Sequence, residues 1–215
     1  MMCPTALIRE LDPTELDSSV LEEAVKVIGN GGVILYPTDT IYGLGCDVFN
    51  EEAVKRIYAV KKRRGNSPLL VLTHSISSVE SLIEEMPADA RRLAEMFWPG
   101  PVTLVLRAGK YLPRNITSED GKIGIRIPKH EFCLRLCEHT GVPIVSTSAN
   151  ISGEREICSI KILKELFTDI VDMIIDGGDC LTSVGSTVID MTGSNPLVLR
   201  EGVISLQLIE SALKK

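Results

Sequence analysis

Apolar residues recur at helical spacing over residues 18–28, where Val20, Leu21, Ala24, Val25 and Ile28 share one face, and the pattern stops at Gly29-Asn30-Gly31. The next run, Val33-Ile34-Leu35-Tyr36, is continuously apolar and bounded by Gly31-Gly32 and Pro37, which predicts a buried strand. A Thr/Gly loop follows it. Asn50 is then placed to cap a second helix over residues 51–61, with Ala53, Val54, Ile57 and Tyr58 turned inward. Residues 69–72 read as a strand, and a Glu-rich helical stretch and then residues 87–97 fill the next interval. Strand-like runs return at 102–106, at 123–127 and, after a helix ended by Gly141, at 143–145. The tail offers strands at 171–175, 187–189 and 197–199, with one convincing helix among them.

Strands alternating with helices over the first two thirds imply parallel or mixed pairing, and the strand-dense, glycine-punctuated tail implies antiparallel additions. The sequence contains no internal repeat, low-complexity tract or Pro/Ser-rich linker. One α/β domain over residues 1–215 is therefore expected, built on a twisted mixed parallel/antiparallel sheet flanked by helices.

Composition narrows the function classes. Hydrophobic residues make up 44% and charged residues 24%, as in ordinary globular proteins, and no apolar run nears the roughly 20 residues that cross a bilayer. The start, Met1-Met2-Cys3-Pro4-Thr5, has no basic region followed by an apolar core, so a cytoplasmic, membrane-free protein is expected. A net charge of -6 and only 4% aromatics weigh against a surface devoted to nucleic acid, although Lys61 to Arg64 could supply a local basic cleft. The six cysteines form no Cys-x-x-Cys pair. His130, Cys133 and Cys137 would share a helical face, with His139 nearby; zinc accepts such ligands, but cysteines packed as small core residues explain the pattern with fewer assumptions.

There is no Walker-type phosphate loop, no third glycine after Gly43-Leu44-Gly45 for a dinucleotide fingerprint, and no Gly-x-Ser-x-Gly elbow. With three histidines, a His-based triad has thin support. What the chain offers is anion-binding chemistry at predicted strand ends, where open α/β sheets hold ligands. Pro37-Thr38-Asp39-Thr40-Ile41-Tyr42-Gly43-Leu44-Gly45-Cys46 brings hydroxyls, a carboxylate and glycines to the end of the first apolar strand, although the same residues also make turns. Lys61-Lys62-Arg63-Arg64 before Gly65-Asn66-Ser67-Pro68 could converge on one anion where the helix ends, or could be a solvated basic helix end favoured by the helix dipole. Arg126 shares a strand face with Gly124 and Pro128, opposite Ile125 and Ile127, and suits a carboxylate. Ser146-Thr147-Ser148-Ala149-Asn150 follows another apolar strand and can bind phosphate or ribose, or cap the next segment. Ser186-Thr187 and Arg200 repeat the theme in the tail.

Together these segments resemble the YrdC/TsaC family. The resemblance rests on Pro37 to Gly45, Lys61-x-Arg63 with Pro68-Leu69, and Phe97-Trp98-Pro99-Gly100-Pro101 with Thr103-Leu104. It also rests on Arg126-Ile127-Pro128, Ser148-Ala149-Asn150 with Ser152-Gly153, Ser186-Thr187-Val188 and Leu199-Arg200-Glu201-Gly202. The motifs keep the family's order from about Gly32 to Gly202, and the chain is similar to the short, single-domain members.

The resemblance implies a YrdC-like fold with a concave basic cleft and an L-threonylcarbamoyladenylate synthase, a nucleotidyltransferase acting on L-threonine, bicarbonate or CO2, and ATP with Mg²⁺. The product would pass to the transferase that modifies adenosine 37 of tRNA. By resemblance Thr40, Arg126, Ser146 and Ser186 hold L-threonine. Lys61, Arg63, Ser67, Ser148, Asn150 and Arg200 surround the nucleotide, with Lys61 and Arg63 the catalytic pair and no protein ligand named for a metal. Several relatives carry a histidine where this chain has Leu72; His74 would share that face if the strand continued. The competing readings are a related carbamoyl-adenylate enzyme, as in the YrdC-like domain of the hydrogenase-maturation protein HypF, and a translation-associated RNA-binding module.

Overall fold

The computed structural model describes residues 5–12, 18–62, 68–151 and 153–214. In chain order the elements are β1 (Leu7–Glu10), α1 (Ser18–Gly29), β2 (Ile34–Tyr36), β3 (Gly43–Asp47), α2 (Glu51–Val60), β4 (Leu70–Leu72), α3 (Ile76–Leu82), α4 (Ala88–Phe97) and β5 (Val102–Arg107). They continue as β6 (Lys122–Arg126), α5 (Glu131–Thr140), β7 (Ile144–Ser148), α6 (Ile160–Phe167), β8 (Met173–Asp176), β9 (Thr187–Asp190), β10 (Leu197–Arg200) and α7 (Leu206–Leu213).

Local chemistry explains the boundaries. The Asn50 side chain accepts from the Ala53 N–H, which caps α2, and Gly141 closes α5 at φ 66°, a left-handed conformation that glycine adopts without steric cost. The ten strands among the described residues join one sheet in the order β1-β8-β2-β3-β7-β4-β6-β5-β9-β10. Parallel pairs (β1/β8, β2/β8, β4/β6, β5/β9) mix with antiparallel ones (β2/β3, β3/β7, β4/β7, β5/β6, β9/β10).

Three sequence expectations are corrected. Residues 43–47, read as the end of a loop, form β3, whose glycines make it look like a turn although it lies buried between β2 and β7. The tail contains two helices, α6 and α7. It is also less antiparallel than expected: β10 adds antiparallel to β9, but β8 inserts parallel between β1 and β2, as its buried run Met173-Ile174-Ile175 suits.

The helices cover the two faces of the sheet unequally. On one face, α2, α3, α4, α6 and α7 pack their buried residues into a large core with Leu35, Val71, Leu104, Ile125, Val145 and Ile174. On the other, α1 and α5 cover Ile34, Tyr36, Leu72, Ile144, Met173 and Ile175. There α5 contributes Cys133 and Cys137 as core residues, and burial pushes the Cys137 thiol up to about 12, so it packs as a neutral side chain. The rest of this second face, over β7, β4, β6, β5 and β9, forms the floor of an open cleft.

Candidate active site

Because side chains alternate along a strand, every second residue of the central strands points into the cleft. Ser146, Leu70, Gly124, Val105 and Asp190 are successive cross-strand partners, as are Leu72 with Arg126 and Thr103 with Val188 and Arg200. All of them line one cavity of about 630 Å³, a volume typical of small-molecule sites. The site therefore spreads across the bare face of the sheet, where strand ends alone were expected to carry it.

At one end stands Arg126, 3% exposed. Its Nε donates to the Gly100 carbonyl at 3.0 Å, one terminal nitrogen donates to Thr40 Oγ1 at 3.1 Å, and the other pairs with the Asp39 carboxylate. The loop after β2 is built to present these groups: Thr38 Oγ1 donates to the Ile41 carbonyl at 2.7 Å and accepts from the Thr40 N–H at 3.1 Å, an ST-turn closed on itself. Gly100, whose carbonyl takes the Nε bond, has no room for a side chain: a Cβ there would lie 2.4 Å from the Phe97 carbonyl oxygen.

A second cation, Lys61, sits just past the last turn of α2 and is 3% exposed. Its Nζ donates to the Ser148 carbonyl at 2.7 Å, to Ser148 Oγ at 3.2 Å and to Asn150 Oδ1 at 2.7 Å. Ser148 Oγ donates to the same Asn150 oxygen, and Asn150 Nδ2 donates to the Glu154 carbonyl at 2.8 Å, which fixes the amide's orientation. Burial raises the Glu156 carboxyl above the ordinary range, opposed by nearby Lys61 and Arg200.

Arg200, from β10, donates twice to the Ser186 carbonyl, at 2.9 and 3.2 Å, while Ser186 Oγ lies 2.8 Å from Thr103 Oγ1. The segment is clamped by Thr187 Oγ1, which donates to the Ile204 carbonyl at 2.6 Å and accepts from the Gly202 N–H at 3.0 Å.

Thr40, Lys61, Arg126, Ser146, Ser148, Asn150, Ser186 and Arg200 thus line a single cleft although the sequence scatters them over 160 residues. Arg63, Ser67 and Ser152 lie outside the described residues. Sequence reasoning missed Lys122 and Asp190, which pair at 3.1 Å at the far end of the cleft, with Asp120 3.0 Å from the same lysine. Lys122 could have been found, since it lies four residues before Arg126 on the same strand face. Thr103 and Asp39 stood inside quoted motifs, but their partners are 83 and 87 residues away. The cleft is less one-sidedly basic than expected: among its described lining residues, Lys61, Lys122, Arg126 and Arg200 face Asp120, Glu154, Glu156 and Asp190. Leu72 forms apolar wall, and β4 ends there, so His74 leaves the strand and its Nε2 lies 3.4 Å from Ser78 Oγ at the start of α3.

A mixed sheet with one half-covered face and a cleft lined by hydroxyls and cations over it places the chain among α/β proteins. The Sua5/YciO/YrdC family model, described as "Telomere recombination", matches residues 26–202, and the chain belongs to this family. Threonylcarbamoyl-AMP synthase of Pyrococcus abyssi is 41% identical over 88% of this chain, which spans 56% of that protein's length. The enzyme of the same name from Coxiella burnetii (strain RSA 493) is 40% identical over 73% of this chain and 84% of its own. The crystal structure of P. abyssi Sua5 complexed with L-threonine superposes with a TM-score of 0.91 at 38% identity, covering 96% of this chain and 61% of that one. No helix among the described residues is long and apolar enough to cross a membrane.

Proposed function

We propose that this protein makes L-threonylcarbamoyladenylate and pyrophosphate from L-threonine, CO2 or bicarbonate, and the magnesium complex of ATP, as a nucleotidyltransferase. The observation that carries the reading is the pairing of two buried cations in one cleft, Arg126 bonded to Thr40, and Lys61 bonded to Ser148 and Asn150, with Ser146 lining the same cavity. Support comes from the relatives named threonylcarbamoyl-AMP synthase and from the related structure solved with L-threonine.

Arg126 receives the threonine carboxylate, with Thr40, Ser146 and Ser186 supplying hydroxyls around it. The threonine amine adds to CO2, losing a proton, and the resulting carbamate oxygen attacks the α-phosphorus of ATP as pyrophosphate leaves. This chemistry asks for positioning and charge neutralisation more than for a protein nucleophile. Lys61, Ser148, Asn150 and Arg200 would hold the nucleotide and its phosphates, joined by Arg63 and Ser67 from the segment after α2. Lys61 Nζ, which here donates to the Ser148 carbonyl and Asn150 Oδ1, would turn from these acceptors to phosphate oxygens. Magnesium would enter as part of the ATP substrate, with no residue of this chain assigned to hold it. The mixed anhydride is a reactive acyl donor, so the consumer of this product is a transferase, here the one that modifies adenosine 37 of tRNA.

Pyrophosphate release, with threonine and bicarbonate omitted in turn, tests the reading. Release that requires both, with serine a poor substitute, is expected. Release without threonine would replace the reading with a carbamoyl-adenylate or hydrolytic activity, and no turnover under any condition would favour the RNA-binding module.

A further inference from the structure

Tyr36, the last residue of β2, is fully buried, yet its hydroxyl meets no hydrogen-bond partner among the described residues. Burying a phenol hydroxyl unpaired costs free energy that a phenylalanine would not incur. The ring does not simply fill a hole in the core. It lies across β3 over two glycines: a Cβ built on Gly45 would fall 2.6 Å from Tyr36 Cε1, and one built on Gly43 would fall 3.4 Å from Tyr36 Cζ. That same Gly43 position lies 3.0 Å from Ser146 Oγ, so the phenol end and the serine hydroxyl flank one spot. Ser146 lines the cleft and Tyr36 stands behind it.

The neighbouring polar groups are otherwise engaged. Cys133 Sγ donates to the Pro37 carbonyl at 3.3 Å, and the three guanidinium nitrogens of Arg126 donate to Gly100, Thr40 and Asp39. Ser146 is the side-chain hydroxyl close enough to act on the phenol, although no bond of ordinary geometry joins them here. We propose that Tyr36 is a positioning residue that donates to Ser146 Oγ and so turns the serine's own O–H toward the amino-acid substrate. A serine hydroxyl can accept one hydrogen bond while donating another, so the relay satisfies both groups once substrate accepts from Ser146. Burial holds the phenol pKa well above its ordinary value, which keeps Tyr36 a donor throughout the working range. The inference rests on the threonine reading of the cleft.

The test is Tyr36→Phe, with Ser146→Ala and the double variant, each measured for threonine KM, ATP KM and melting temperature. The expected result is a threonine KM raised about 5- to 10-fold in Tyr36→Phe, an ATP KM within about twofold of wild type, and no loss of thermal stability. Because Tyr36 acts through Ser146, the double variant is expected to be no worse than Ser146→Ala alone. An unchanged threonine KM, an equal rise in both KM values, or additive effects in the double variant would each overturn the relay. If wild type released pyrophosphate without needing threonine, the reading of the cleft itself would fail and the relay with it.

Discussion

Removing the charge of Arg126 while keeping its bulk, as in Arg126→Met, strands the Asp39 carboxylate. Both side chains are almost buried, at 4% and 10% exposure, so Asp39 would lose its cation without gaining much water. Breaking a buried pair by deleting one partner costs about 3–5 kcal/mol. The Gly100 carbonyl and Thr40 hydroxyl also lose donors, which keeps the effect toward the upper end of that range. For a chain of this size each kcal/mol moves the melting point by roughly 2–4 °C, so a fall of roughly 6–20 °C is expected. Arg126→Met combined with Asp39→Asn removes both charges and should recover more than half of that loss, giving a folded protein in which substrate binding can be read. On the proposed reading the double variant leaves the threonine carboxylate without its cation, and losing a hydrogen bond to a charged group, about 1.5–3 kcal/mol, should raise threonine KM about 10- to 100-fold with ATP KM little changed. Thermal unfolding and two-substrate kinetics check both halves. A single variant within about 1 kcal/mol of wild type would refute the buried-pair reasoning. Equal effects on both substrates would remove Arg126 from the carboxylate site.

On the proposed reading, in which buried Lys61 turns to phosphate oxygens and acts on charge developing in the transition state, Lys61→Ala should lower kcat about 10²- to 10³-fold with threonine KM near wild type; wild-type kinetics would place it outside the chemistry. Gly202→Ala should destabilise by about 1–3 kcal/mol and reduce activity, since its Cβ would fall 2.3 Å from the Gly185 carbonyl oxygen and 2.4 Å from the Ser186 carbonyl carbon. Gly29→Ala, at the end of α1 with nothing within 4 Å, is the control and should be neutral or slightly stabilising by denaturant titration. Burial is the main cause lowering the His130 pKa in the folded chain, so the unfolded state takes up this proton first as pH falls below about 6.5. Stability should therefore decline on acidification through that pH, and His130→Gln should flatten the decline between about pH 6.5 and 5; an identical pH profile in the variant would exclude His130 as its source.

How much of this was legible in the sequence depends on how local each determinant is. The cap at Asn50, the stop at Gly141 and the inward faces of α1 and α2 follow from residues within a turn or two of one another, and the structure realises them. Alternation placed Arg126 on the face of Gly124, and the structure puts both in the cleft. Strand β3 was misread for a physical reason: Gly43 and Gly45 suppress every sign of a strand. Those glycines are what let the Tyr36 ring cross the sheet toward Ser146, so the feature that hid the strand is the one that shapes the site. Which of these segments meet in one cleft could not be read from local pattern. It depends on which strands are neighbours, and β7 enters between β3 and β4 across about 100 residues of chain. That insertion brings Ser146 and Ser148 alongside Leu70 and Gly43, and so within reach of Lys61 and Tyr36. The same topology leaves α1 and α5 able to cover only part of the second face. The open floor follows from that incomplete coverage, and the hydroxyls and cations that stood isolated in the sequence meet there.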